Sequence, residues 1–160
     1  MSTDNVNPEP QSQWQQAVAG MMSKDLDRSA LPAYMNALDM PVPSEWSEGS
    51  ATLRWQANKT MQQGSNAIFG GYLAALADYA AGVATLTVLN DDEFFSTAKL
   101  STSFIKPVNL ELIDVVATVS SRDQKTVQVE VAFWNVAELE SPDRKAYATA
   151  KALQIISRKK

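Results

Sequence analysis

Residues 62–89 read QQGSNAIFGGYLAALADYAAGVATLTVL, and from Ile68 onward the stretch carries one charge, Asp78. An apolar run of this length opened by Gly70-Gly71 predicts a long helix, ending near Leu89-Asn90-Asp91-Asp92-Glu93. A helix that is apolar nearly all round has to be covered on most sides. The run is long enough for a bilayer, which needs about 20 residues. Lipid is nevertheless a poor fit. The run is richer in Ala than in Leu, no basic cluster flanks it, and a central Asp78 would cost roughly 2.5–3.5 kcal/mol. The cover is therefore expected to be protein.

After the helix the apolar period drops from 3.6 to 2. Strands are predicted over 96–106, 110–120, 126–136 and 146–156, with one earlier strand at Ser50–Ala57, where Ala51, Leu53 and Trp55 alternate with polar residues. The short polar links 120–125 and 137–145 suit antiparallel hairpins. Upstream, Trp14, Val18, Met21 and Met22 fall at helical spacing within 11–24. Residues 28–44, with three prolines, read as a loop around one helical turn. Residues 1–10 read as a disordered tail and 11–160 as a single domain. The order is β-α-β-β-β-β after an N-terminal helix. Segregated helix and sheet argue an α+β fold with an antiparallel sheet. One sheet covers a helix on one side only, so a homodimer is expected to cover the rest.

The chain has no cysteine and no histidine. Disulfides, thiolate catalysis and Cys-based metal sites are excluded, and so are the usual general base and the commonest metal ligand. No metal site is expected. Acid–base chemistry has to come from Asp, Glu, Lys or Tyr. The net charge of −4 argues against nucleic acid as a partner. The polar N-terminal segment has neither a basic n-region nor an apolar h-region, which suggests no secretory signal and a cytoplasmic protein.

Two features of the helix carry chemistry. The first turn of a helix holds N–H groups without internal partners, and the dipole adds positive charge there. At Gly70-Gly71, with no Cβ in the way, a developing oxyanion could approach closely; a tight turn is the plainer use of the pair. Asp78 lies eight residues on, flanked at i±3 and i±4 by Ala74, Ala75, Ala81 and Gly82, so a slot lies beside the carboxylate. It could serve as general base or nucleophile. A hydrogen-bonded interface Asp, or one facing solvent, is the alternative.

The stretch GSNAIFGGYLAALADYA resembles the signature of hotdog-fold acyl-CoA thioesterases of the phenylacetic-acid-degradation type (PaaI-like). The later strands, including LSTSFIKPV, match in order, and the resemblance covers about residues 33–157. It implies a long central helix wrapped by a curved antiparallel sheet, assembled as a homodimer or homotetramer. It implies hydrolysis of an acyl-CoA or aryl-CoA thioester, with no cofactor beyond the CoA of the substrate. By the same resemblance Gly70 and Gly71 polarise the carbonyl, and Asp78, contributed by the partner subunit, attacks or activates water. Gln63 fills an Asn position, Asn66 a Gly position, and Thr97 a position that helps orient the water. Phe69 stands where the family has His, and can only pack against an acyl or aryl group. Phe69, Asn66, Ala74, Ala75 and Gly82 are the expected substrate contacts, with Lys106, Arg122 and Lys125 as candidates for the CoA moiety. The loss of the motif His leaves a second outcome open, a non-catalytic acyl-CoA or fatty-acyl binding protein. A dehydratase would want a His–acid pair that this chain lacks.

Overall fold

The computed structural model describes residues 7–160. Of the expected tail, residues 1–6 lie outside the described residues. Residues 7–10 form no regular element, and the Asn7 side chain accepts the Trp46 backbone N–H at 2.9 Å.

Three helices and six strands follow: α1 (Gln13–Met21), α2 (Ala33–Ala37), β1 (Glu45–Ser47), β2 (Ser50–Gln56), α3 (Gly70–Leu86), β3 (Glu93–Phe104), β4 (Leu112–Arg122), β5 (Thr126–Asn135) and β6 (Ala148–Arg158). The strands form one antiparallel sheet in the order β1-β2-β4-β5-β6-β3. The α+β expectation holds, with one addition. A three-residue strand, β1, precedes β2 and turns into it at Gly49, whose φ of 80° is the left-handed region a glycine adopts without strain.

The sheet wraps α3. Its inward face is Ile113, Val115 and Ala117 from β4, Val127, Val129, Val131 and Phe133 from β5, and Ala148, Ala150 and Ala152 from β6, all buried. Against them α3 presents Leu76, Ala77, Ala80, Ala81 and Ala84, each fully buried. The alanines let the sheet close on the helix backbone, so the Ala-rich composition is a packing requirement. At its C-terminal end α3 is tied down by threonines. Thr85 Oγ1 donates to the Ala81 carbonyl at 2.8 Å, and Thr87 Oγ1 donates to Ala84 at 2.6 Å while accepting the Gly49 amide at 2.8 Å.

The other side of α3 is covered by the chain itself, which changes the argument for a dimer. Ser12 caps α1 by accepting the Gln15 amide at 3.1 Å. From α1, Gln15 Nε2 donates to the Thr87 carbonyl at 2.7 Å, and Trp14 Nε1 to that of Asn90 at 3.0 Å. The segment through α2 is anchored in turn. Tyr72 of α3 donates its hydroxyl to the Leu38 carbonyl at 2.7 Å, and Arg28 donates to that of Met40 at 3.0 Å. The expected uncovered helix face is thus roofed by residues 13–40. Any case for a second copy has to rest on another surface.

Strand β3 leaves one edge of the sheet open. It is an edge strand of 12 residues; among the described residues it pairs with β6 alone, and its outer row of N–H and C=O groups has no strand beside it. It also carries a bulge. The register with β6 shifts between Thr97 and Lys99, leaving Ala98 unmatched.

Candidate active site

Asp78 sits half-buried on α3, and Thr97 of β3 donates its hydroxyl to Asp78 Oδ1 at 2.7 Å. These two sequence-predicted residues are brought together, and the bulge after Thr97 is what aims that strand at the helix. Beside them opens a pocket of about 470 Å³. Along α3 it follows Ala75, Asp78, Tyr79, Gly82, Val83 and Leu86, which lie on one face of the helix over roughly 16 Å. Met21, Leu31, Tyr34, Met35 and Leu38 roof it from the N-terminal layer, and Phe95 closes it from β3. Among the described residues of its lining, Asp78 alone is formally charged. Tyr34 and Tyr79 meet edge to face, with centroids 6.4 Å apart. Burial, helped by the Asp78 charge, raises the Tyr34 hydroxyl above the usual tyrosine range.

The second half of the predicted site lies at the N-terminus of α3. The Gly70 and Gly71 amides have no acceptor among the described residues, and Phe69, at the N-cap, offers no side-chain bond. Both glycines lie against an aromatic ring. A Cβ on Gly71 would sit 2.5 Å from the Phe69 ring, and one on Gly70 would sit 3.1 Å from that of Phe104. Phe69 is 44% exposed, Phe104 54% and Ile105 55%, so three large apolar side chains stand in solvent around this helix end.

The remaining candidates are placed as follows. Gln63 lies in the turn before the helix, exposed, its Nε2 donating to Ser65 Oγ at 3.2 Å. Asn66 adopts φ 64°, a conformation Asn tolerates, and shapes the same turn. Ala75 and Gly82 line the pocket; Ala74 does not. Lys106 follows Phe104 by two residues, 3.7 Å from Glu138 and 4.9 Å from the Tyr147 ring centroid. Arg122 is not available as a ligand contact in the way expected, because its guanidinium is committed to the buried Glu93, together with Arg158 at 2.7 Å. Lys125 is exposed in the β4–β5 turn, its amide bonded to Asp123 at 2.7 Å. Neither Arg122 nor Lys125 lines the pocket beside Asp78. Among the described residues no cluster of three or more acidic side chains could hold a metal ion.

Sequence reasoning missed the roof residues Leu31, Tyr34, Met35 and Leu38, which sit in the proline-rich segment read as a loop around one helical turn. It also missed Phe95 and Phe104. Their partners are glycines, and a glycine pattern says nothing about which ring will fill the space.

Gly70 and Asp78 are about 12 Å apart along one rigid helix. Within one chain the bare amides and the carboxylate therefore cannot address the same carbonyl carbon.

Comparison with known proteins agrees with this architecture. Residues 65–141 match the thioesterase superfamily. No curated protein sequence matches the chain. A thioesterase family protein from Silicibacter pomeroyi superposes with a TM-score of 0.74 at 15% identity, over 91% of this chain and 99% of that one. The E. coli PaaI protein from the phenylacetic acid degradation operon gives 0.70 at 20% identity, over 92% and 93%. A Streptococcus mutans protein bound to acetyl CoA gives 0.64 at 15% identity, over 74% and 89%. No helix among the described residues is long and apolar enough to cross a membrane.

Proposed function

The chain carries a thioesterase-superfamily segment on a hotdog fold, and from that premise we propose that it hydrolyses an acyl-CoA or aryl-CoA thioester at sites shared between two copies. The observation that carries the reading is the Asp78–Thr97 pair at the mouth of an otherwise uncharged pocket. The apolar chamber takes the acyl or aryl group. A 150 Å³ cavity suffices for benzene, so about three times that volume suits a medium-length chain or a substituted ring.

The two halves come together by pairing the open edges of β3. Thr97 and Phe104 mark the acid and the glycine turn along that strand. An antiparallel two-fold pairing centred on Ser101 would set Thr97 of one copy opposite Phe104 of the other, since with Ala98 unmatched each lies three ladder positions from that centre. Asp78 then meets the partner's Gly70-Gly71 amides. Phe69, Phe104 and Ile105, exposed in one copy, would be covered.

In this arrangement the free amides donate to the thioester oxygen as it becomes an oxyanion, a contribution commonly worth about 10²–10³ in rate. Asp78 takes a proton from water as that water adds to the carbonyl carbon, or itself adds to form an anhydride that water then opens. The C–S bond breaks, and the departing thiolate takes up a proton. Thr97 holds the carboxylate in line. Phe69 lines the entry by packing alone. Gln63, in the turn before the glycines, is suited to the substrate's polar portion, and Lys106, two residues after Phe104, would reach it by leaving Glu138.

A panel of acyl-CoA esters with a free-thiol readout tests this. Turnover is expected for uncharged acyl or aryl groups and not for those ending in a carboxylate, which would be desolvated in the apolar chamber. Saturable binding without thiol release would favour the non-catalytic alternative that Phe69 motivates. Ala75→Leu, projecting into the chamber from a half-buried position, is expected to raise KM for the longest good substrate about ten-fold, the lower range for a hydrocarbon mismatch, while leaving acetyl or butyryl esters little changed. An equal loss on all chain lengths would mean the acyl group lies elsewhere.

A further inference from the structure

Gln154 lies on the helix-facing side of β6 between Ala152 and Ile156 and is wholly buried. Its carboxamide has two N–H donors and an oxygen with two lone pairs. Both polar atoms are enclosed, and neither has a hydrogen-bond partner among the described residues. Its cross-strand neighbours are Val127 on one side and Thr97 on the other. A methionine or leucine would fill the same space among Val127, Ala152 and Ile156 without burying an unsatisfied amide, so packing does not account for glutamine here.

The place of Gln154 in the sheet supplies the account. Directly paired residues on one face of an antiparallel ladder have Cβ atoms about 4.5–5.5 Å apart. Thr97 faces α3, because its hydroxyl reaches Asp78, and Gln154 faces α3 beside it. The Thr97 hydroxyl has one proton and two lone pairs. If an amide N–H occupies a lone pair, the single proton is left to point at the carboxylate, and the hydroxyl becomes a better donor through polarisation along the chain.

We infer that Gln154 is a positioning residue for Asp78, acting through Thr97: its carboxamide, by side-chain rotation or across one buried water, donates to the Thr97 hydroxyl and commits that hydroxyl to the carboxylate. The inference rests on the thioesterase reading for its kinetic consequence, but not for its structural one.

The test is Gln154→Met, alone and combined with Thr97→Val. If the amide acts through Thr97, Gln154→Met lowers kcat about ten-fold or more, as small misplacements of a reacting group do, with KM unchanged. Its thermal midpoint stays level or rises, because an unsatisfied amide has been removed. The double variant is no slower than Thr97→Val, since the two residues form one path. A second readout needs no turnover. The carboxyl ¹³C resonance of Asp78, assigned with Asp78→Asn, moves between wild type and Gln154→Met at pH 7, and does not move between Thr97→Val and the double variant. An unmoved resonance with kcat within about two-fold of wild type overturns the inference, as do losses that add in the double variant. If wild type cleaves no thioester yet the resonance moves as described, the link from Gln154 to Asp78 stands and the thioesterase reading falls.

Discussion

Asp78→Asn is expected to lower kcat on the best thioester by at least ~100-fold, the usual cost of removing a positioned base. The substitution keeps the shape of the side chain, and its oxygen can still accept the Thr97 hydroxyl that now reaches Oδ1 at 2.7 Å. What it removes is the negative charge. The side chain lies at a half-buried surface rather than in the core, so the thermal midpoint should scarcely change. KM should also hold, because the chamber that takes the acyl group is otherwise built from uncharged residues. Thiol release by purified wild type and variant, at matched melting temperatures, is the measurement. If wild type is no faster than the variant across a broad panel, Asp78 does no chemistry on thioesters.

The second large effect concerns stability. Glu93 opens β3 with its side chain fully enclosed. Asn90 donates its amide to Oε2 at 2.8 Å, Arg158 reaches Oε1 at 2.7 Å, and Arg122 holds Oε2. Burial pushes the carboxyl upward, but the Asn90 amide and the two guanidiniums outweigh it and hold the group below the usual carboxylate range. Glu93→Ala would strip two arginines of their shared partner. Breaking a buried pair costs about 3–5 kcal/mol, and since both arginines are partly solvated the lower figure, near 3 kcal/mol, is expected. A fall in the urea midpoint at unchanged slope would register it. The pH dependence has a definite sign. A carboxylate whose folded-state pKa is depressed stabilises above its unfolded value, near 4.3, and that stability is lost as pH falls through the folded one. Wild type should therefore weaken below about pH 5, and Glu93→Gln should weaken less steeply over the same range. Parallel acid limbs would show that this cluster contributes nothing.

How far the sequence foretold this can be judged residue by residue. The long helix was legible because its apolar run is unbroken and its start is marked by glycines. Four of the later strands and the one before the helix were legible from alternation. The start of β3 was not. Phe94 and Phe95 are adjacent aromatics that break the alternation, and Glu93 looks like loop acid until two distant arginines converge on it. Strand β1, at three residues, is too short to show a period. Asp78 stood out because a lone charge in an apolar helix is conspicuous. Thr97 could be named only through resemblance, since one hydroxyl in a Ser/Thr-rich strand has no distinguishing period. The roof formed by residues 13–40 escaped because its contacts with α3 are long-range, and prolines flanking one turn of helix give no hint of what they cover. The outward view of an uncovered helix was wrong for that reason. Gln154 was hidden inside an apolar strand where it broke no pattern strongly.

The unmatched Ala98 has a consequence for the length of its strand. Before it, Phe95 and Thr97 face the helix, meeting Gly82 and Asp78; after it, the helix-facing positions become even-numbered, ending with Phe104 over Gly70. Parity along a pleated ribbon is strict, so deleting this single alanine would turn one end of the ribbon inside out. Either the hydroxyl would leave the acid, or the ring would leave the glycine turn. Two spots some dozen ångströms apart are thus kept in phase by one surplus residue, whose own side chain need do nothing.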